Sequence, residues 1–316
     1  MDLFRVIKPG LFTTVQDLGR YSFQKFGVPV SGAMDKYAFA YANLLAGNQK
    51  NDACLEITLL GPELEVLNKA QIAVAGADFS LSLNGNFVPM GQTINVEKGD
   101  AFAFIGSPRS GCRAYLAVRG GIDVPLVLGS RSTYVRGCFG GYAGRGLRAG
   151  DLIQAFAPEQ FLRNKRIIPP ELISRYEREF AVHVILGPQE DMFTTEGIET
   201  FLSAMYTVTT ESDRMGYRLD GASIERKSMA ELVTDSLMQG SVQVPGNGKP
   251  LVLMADAQTS GGYPKIATVT TPGVSRLAQA RPNDKVHFTK ISLTQAHAQY
   301  IEFYRVLTQF GIKASS

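Results

Sequence analysis

The chain has 316 residues, 45% of them hydrophobic and 19% charged, with a formal net charge of only +3. A chain of this kind buries a large core and favours about two domains. The small charge, with no cluster that pairs bases with interleaved aromatics, argues against a nucleic-acid partner. No stretch approaches the roughly 18 apolar residues of a membrane span, and Met1-Asp2-Leu3-Phe4-Arg5 lacks a signal-like apolar run. A cytoplasmic protein with no membrane partner is therefore expected.

In chain order, the first clear helix runs from Asp35 to Gly47, where Tyr37, Tyr41, Leu44 and Leu45 share one face and Gly47-Asn48 supplies the stop. The run Ser80-Leu81-Ser82-Leu83 alternates and then meets Asn84-Gly85, a strong hairpin signal. Ile94-Asn95-Val96 and Ala101-Phe102-Ala103-Phe104 continue the alternation as half-buried antiparallel strands. Gly144-Arg145-Gly146-Leu147-Arg148-Ala149 matches a dinucleotide fingerprint in form, but a turn and strand follow it instead of a helix. A helix is expected over residues 171–180, after Pro169-Pro170, and a shorter one after Gly187-Pro188. Gly246-Asn247-Gly248-Lys249 runs into Pro250 and is no phosphate loop. The last helix opens on a capping box made by Ser292 and Gln295, carries a stripe of Tyr300, Phe303, Tyr304 and Leu307, and is expected to end at Gly311.

The three cysteines (54, 112 and 138) are widely spaced with no C-x-x-C, so neither a disulfide framework nor a zinc site is expected. His183, His287 and His297 are scattered, which fits structural roles. No G-x-S-x-G or H-E-x-x-H occurs, and no metal site is assigned.

The most informative stretch is Asp256-Ala257-Gln258-Thr259-Ser260-Gly261-Gly262-Tyr263-Pro264, directly after the strand-like run Leu251-Val252-Leu253-Met254. A strand ending in a carboxylate, an amide, hydroxyls and two glycines delivers polar groups to a sheet rim, where a ligand can reach them. Upstream, Arg214 and Arg218 lie four apart, and on a strand such positions face one side, so both guanidiniums can meet one anion. Asp256 can hold a metal-bound phosphate, orient Arg214 or take a proton. Residues 101–150 hold seven arginines against one acid, Asp123. Of these, Arg136 and Arg145 flank a glycine-rich segment whose amides can cradle an anion.

Turns recur along the chain, as in Leu83-Asn84-Gly85 against Leu219-Asp220-Gly221. They point to two related β-barrel-like domains. The expected division is a β-rich N-terminal subdomain over 1–165, a linker helix over 166–180, a second subdomain over 181–291, and a C-terminal helix and tail over 292–316.

Several long motifs carry a family resemblance. They are Thr13-Thr14-Val15-Gln16-Asp17-Leu18-Gly19-Arg20, Gly27 to Asp35, Leu55-Glu56-Ile57-Thr58 with Gly61-Pro62, Asp213 to Leu219, Gln243-Val244-Pro245 and the Asp256–Pro264 run. Together, in this order and over nearly the whole chain, they resemble the carboxyltransferase-like family that includes the C subunit of ATP-dependent 5-oxoprolinase, also called the KipI antagonist KipA and "allophanate hydrolase subunit 2". Asp213 departs from the Asn expected in many members, which leaves the hydrogen bonding around Arg214 open. The resemblance implies a mainly β fold with a few helices, built as two cyclophilin-like β-barrel subdomains. It also implies a KipI-like B subunit and a hydrolase, the A subunit, as partners in a hetero-oligomer, and ATP with Mg2+ held by this chain or by a partner.

The activity implied is the opening of 5-oxoproline to glutamate. Asp256 and Arg214 would then be catalytic, with Tyr217, Arg218, Gln258, Thr259, Gly261, Gly262 and Tyr263 binding the substrate. Two other classes stay open. One is a carboxyltransferase half of a urea-carboxylase-like enzyme, although no biotin-acceptor sequence lies in this chain. The other is a regulatory protein that antagonises a kinase inhibitor.

Overall fold

The computed structural model describes residues 1–169, 172–228 and 232–315. Two compact units emerge: residues 1–20, 31–176 and 306–316 in the first, and residues 21–30 and 177–305 in the second.

The first unit contains β1 (Asp2–Lys8), β2 (Phe12–Gln16), β3 (Cys54–Thr58), β4 (Glu63–Val66), β5 (Ala70–Gly76), β6 (Ser80–Leu83), β7 (Asn86–Val88), β8 (Thr93–Val96), β9 (Ala101–Ile105), β10 (Arg113–Val118) and β11 (Leu152–Gln154). Among the described residues they form two sheets, ordered β11-β1-β4-β9-β6-β7 and β2-β3-β10-β5-β8. The expected Asn84-Gly85 hairpin joins β6 to β7, with Leu83 opposite Asn86. Inward-facing residues of both sheets, such as Phe4, Val6, Leu64 and Phe102 from one and Leu55, Ile72, Val74 and Leu116 from the other, make a single core.

The five-stranded sheet is covered on its other face by α1 (Lys36–Ala46), which is why β10 is buried along its whole length instead of alternating. The Phe39 ring of α1 meets Tyr115 of β10 edge-on at 5.8 Å. The sequence signals at both ends of α1 act as expected. The Asp35 carboxylate accepts from the Tyr37 and Ala38 amides, and Gly47 takes the left-handed conformation (φ 77°) that closes the last turn. Arg119 donates to the Ala46 and Gly47 carbonyls and Arg166 to that of Leu44, so cations cap the negative end of the helix.

The second unit contains β12 (Glu179–Leu186), α2 (Thr195–Ser203), β13 (Tyr206–Val208), β14 (Gly216–Asp220), β15 (Asp235–Ser236), β16 (Ser241–Gln243), β17 (Leu251–Leu253), β18 (Ser260–Gly261), β19 (Lys265–Val269), α3 (Thr271–Leu277) and β20 (Lys285–Lys290). Seven of these strands close into a barrel in the order β12-β19-β16-β17-β14-β13-β20, with β12 and β20 parallel and the other neighbours antiparallel. Closure removes the exposed strand edges that an open sheet would leave. Phe288 anchors the interior, stacked on Phe201 at 4.5 Å and tilted against Tyr206 at 5.9 Å. The fold is mainly β with a few helices, as expected.

Two helix expectations need correction. Residues 172–178 form no α-helix, and Glu179 and Phe180 open β12 instead; Pro170 and its successor lie outside the described residues. Seven residues without a strong apolar face gain too little by packing to offset helix nucleation. The last helix, α4 (Leu293–Ser315), continues through Gly311. A glycine inside a helix costs only about 1 kcal/mol, and no proline follows it. Its start is as expected: the Ser292 hydroxyl accepts from the Gln295 amide at 3.2 Å, and the Gln295 side-chain oxygen accepts from the Ser292 amide at 2.8 Å. In the expected stripe Phe303 is buried and Tyr300 and Tyr304 are exposed, while the Leu307 side chain lies outside the described residues. The helix expected after Gly187-Pro188 is present as α2, preceded by one 3-10 turn at Glu190–Met192. Among the described residues no helix is long and apolar enough to cross a membrane.

Candidate functional site at a barrel strand end

The site is built where β17 leaves the barrel. Met254 donates its amide to the Met215 carbonyl at 2.9 Å, and Asp256 donates its own to that of Arg214 at 2.8 Å, so the polar run starts registered on the turn before β14. That turn is held by Asp213, whose Oδ1 accepts from the Met215 and Gly216 amides at 2.8 and 3.2 Å. An Asn would accept through the same oxygen. The departure at position 213 therefore preserves the local turn.

Arg214 and Asp256 meet in a bidentate ion pair. Nε donates to Oδ2 at 2.9 Å and Nη2 to Oδ1 at 3.0 Å, with both residues 6% exposed. Of the roles open to Asp256, orientation of Arg214 is the one this geometry displays. Such a pair locks the root of the loop.

The shared face expected for Arg214 and Arg218 is not formed. Arg214 precedes the strand and points into the protein, whereas Arg218 within β14 is exposed and 3.7 Å from Glu211. The two-residue strand period applies only to residues that are all in the strand. Tyr217 faces the opposite way from Arg218. It is 2% exposed, and its hydroxyl donates weakly to the Ala278 and Ala280 carbonyls at 3.5 and 3.4 Å, which withdraws it from direct contact with solvent.

The remaining loop residues do come together. Ser260 and Gly261 form β18, which pairs with β15 as a short ribbon, Ser260 opposite Ser236 and Gly261 opposite Asp235. The Leu237 amide donates to the Thr259 carbonyl and the Leu232 amide to that of Gly262, each at 2.9 Å. Gln258 and Tyr263 are exposed, and Thr259, Gly261 and Gly262 are half-buried. At Gly261 the packing is close, and a Cβ there would stand 2.9 Å from Leu237 Cδ1 and 3.4 Å from Gln243 Nε2, so those side-chain ends would have to shift to admit it.

Three residues of this site, Lys265, Gln189 and Asp235, went unrecognised in sequence, and Gln243 stood out there only as part of a motif, with no role. Lys265 is 5% exposed, and its Nζ donates to Asp235 Oδ2 at 2.6 Å and to the Ser236 carbonyl at 2.7 Å. Gln189 donates to the same Asp235 oxygen at 2.9 Å. The Lys265 ammonium, the Ser236 amide and Gln189 together hold the Asp235 carboxyl below the usual carboxylate range. Gln243, fully buried in β16, donates Nε2 to the Tyr263 carbonyl at 3.1 Å. The available signal was a lone lysine opening an otherwise apolar strand.

The arginine-rich segment of the first unit is largely spoken for. Arg145 makes a bidentate pair with Asp151 at 2.7 and 2.8 Å, which pulls the Asp151 carboxyl down, and its guanidinium also lies 5.1 Å from the centre of the Tyr142 ring. Arg113 sits 3.9 Å from the buried Glu56, Arg119 serves helix carbonyls, and Arg131 donates to the Val124 carbonyl. Arg136 is exposed. Four of the seven guanidiniums in this segment therefore already have acceptors in their own unit, Arg145 among them. Among the described residues no three His, Cys, Asp or Glu side chains gather at a metal-binding distance.

The first unit also holds a cavity of about 500 Å³ lined by Tyr37, Tyr41, Phe79, Met90, Ile168 and Tyr176 among others. The Tyr37 and Tyr41 hydroxyls share a hydrogen bond of 2.9 Å, and burial pushes the Tyr41 phenol well above its usual range.

Comparison with known proteins agrees with this architecture. The family model for "Carboxyltransferase domain, subdomain A and B" matches residues 26–290. The chain is 36% identical over 304 residues to the C subunit of 5-oxoprolinase from Escherichia coli (strain K12), covering 93% of each chain. It is also 36% identical over 312 residues to urea amidolyase of Lachancea kluyveri, covering 92% of this chain but only 17% of that one. The crystal structure of Kluyveromyces lactis urea carboxylase superposes with a TM-score of 0.92 and 32% identity, over 98% of this chain and 29% of the larger one. This chain thus spans a minor part of the urea-processing proteins but nearly the full length of the 5-oxoprolinase component. With the closed barrel, the strand-end loop and a match over most of its length, the chain belongs to the carboxyltransferase domain A and B family.

Proposed function

We propose that this protein is a C-type subunit of a 5-oxoprolinase, opening 5-oxoproline to glutamate at the expense of ATP together with partner subunits of the A and B kinds. The observation that carries this reading is the 36% identity extending over 93% of both chains to the C subunit of a 5-oxoprolinase. A five-membered lactam is a resonance-stabilised amide, and ATP supplies the phosphoryl activation that makes its carbonyl carbon electrophilic. Four arginines of the segment 101–150 already have acceptors in their own unit, and the nucleotide is assigned to a partner.

The contribution of this chain is a shaped recognition loop. Arg214 and Asp256 fix its root. Gln258 offers an exposed amide as donor to the lactam carbonyl, Thr259 offers a hydroxyl to the ring N–H, and the half-exposed Tyr263 ring packs on the five-membered ring. A small polar cyclic substrate needs few contacts, placed accurately.

A second reading is favoured by the superposition on urea carboxylase: a carboxyltransferase module working with a separate biotin carrier. Reconstitution separates the two. The chain mixed with its A and B partners is expected to consume 5-oxoproline only when ATP is present. Turnover by the isolated chain at the rate of the full mixture would overturn the partner requirement. An assembled complex that ignores 5-oxoproline but carboxylates urea from carboxybiotin would overturn the substrate.

A further inference from the structure

We propose that Lys265 and Gln243 are positioning residues that latch the β15–β18 ribbon to the barrel and hold Gln258 to Tyr263 in the shape that receives substrate. The identity of that substrate rests on the 5-oxoproline reading; the latch rests on geometry.

Each ribbon strand is two residues long. A pair that short does not persist by its own hydrogen bonds, and something must hold it. Apolar burial supplies little: Leu237 is tucked beside Leu253 and Ala257, but Val233 and Met238 are 94% and 65% exposed. The polar anchors fill that role. Gln243 of β16 and Lys265 of β19 are paired neighbours on adjacent strands of the barrel, just past a register shift between Val242 and Gln243, so their side chains stand side by side. Lys265 Nζ reaches forward to β15 through Asp235 Oδ2 and the Ser236 carbonyl, at 2.6 and 2.7 Å. Gln243 Nε2 reaches the Tyr263 carbonyl at 3.1 Å, just past β18. The two neighbours thereby grip the two opposite strands of the ribbon.

The orientation of the Gln243 amide is set by this contact. Turned over, its Oε1 would face the Tyr263 carbonyl, oxygen against oxygen. Gln189 reinforces the grip, donating to Asp235 and accepting from the Lys265 amide at 3.1 Å. Burying an ammonium is costly unless it is paired and hydrogen-bonded, and here both partners belong to the ribbon. The charge is spent on holding the loop.

The test uses the full chain with Lys265→Met, which keeps length and removes charge, and Gln243→Leu as the uncharged counterpart. Amide hydrogen exchange is expected to rise about tenfold or more over 232–238 and 256–264, as a charge-assisted anchor is lost, with β12, β13 and β20 unchanged. In the reconstituted complex the KM for 5-oxoproline is expected to rise about tenfold, with Lys265→Arg recovering most of it because the donor is restored. Ribbon exchange unchanged in both variants, or loosening that spreads evenly through the barrel, overturns the latch. Faster ribbon exchange with KM and kcat both unaltered overturns the positioning role. If the wild-type complex shows no 5-oxoproline turnover, the functional reading falls while exchange still judges the latch.

Discussion

Replacing Asp256 by Asn keeps the shape of the side chain and removes its charge from a bidentate contact of 2.9 and 3.0 Å whose partners are each 6% exposed. Breaking a buried pair from one side costs about 3–5 kcal/mol, because the surviving charge stays desolvated. An Asn oxygen can still accept one of the two guanidinium bonds, while its amide N–H2 is turned against the other donor. A loss near the lower end, about 3 kcal/mol, is therefore expected. For a unit just below 150 residues this corresponds to a fall in melting temperature of about 12 °C. Arg214→Met should cost a similar amount, and the double variant Arg214→Met with Asp256→Leu less than the sum, since neither buried charge is then stranded.

Scanning calorimetry is the suitable assay, because it resolves the barrel transition even if the two units melt separately. A folded Asp256→Asn protein melting within the equivalent of about 0.5 kcal/mol of wild type would refute the argument. Turnover in the assembled complex, measured below the melting range, then asks the chemical question. A loss of about a hundredfold there assigns Asp256 a role in the reaction beyond stability, and near wild-type turnover removes it from the mechanism.

Two further outcomes follow from the first unit. Tyr115 donates to Glu56 Oε2 at 2.7 Å and accepts from the Asp35 amide at 2.8 Å, so Tyr115→Phe should cost about 1–3 kcal/mol in denaturant unfolding, and an unchanged midpoint would show the network to be idle. The Arg145 guanidinium, first among several causes, holds the Asp151 carboxyl below its ordinary value. A depressed folded pKa contributes stability that is present above the unfolded value, about 3.9, and is lost as pH falls through the folded one. Arg145→Met should flatten that part of the acid limb when urea midpoints are compared between pH 2 and 5; parallel acid limbs would rule the pair out.

Elements encoded by neighbouring residues were legible in the chain itself. Asp35 and Gly47 bracket α1, Asn84-Gly85 turns β6 into β7, and Ser292 with Gln295 opens α4, because each device acts over a few residues through its own backbone. The strand-end loop was legible for the same reason, as a change of composition after Leu253. The roles of its charges were not. Arg214 meets a carboxylate 42 positions away and Lys265 one 30 positions away, and whether a charge is free or already paired depends on which strands the barrel makes neighbours. The spacing of Arg214 and Arg218 suggested one face only while both were assumed to lie in the strand, and the turn at Asp213 removes Arg214 from it. Local sequence thus determined where the chain turns and which segment carries polar groups outward. Tertiary closure decided which of those groups remain exposed to a ligand, since burial and pairing are set by contacts between segments distant in sequence.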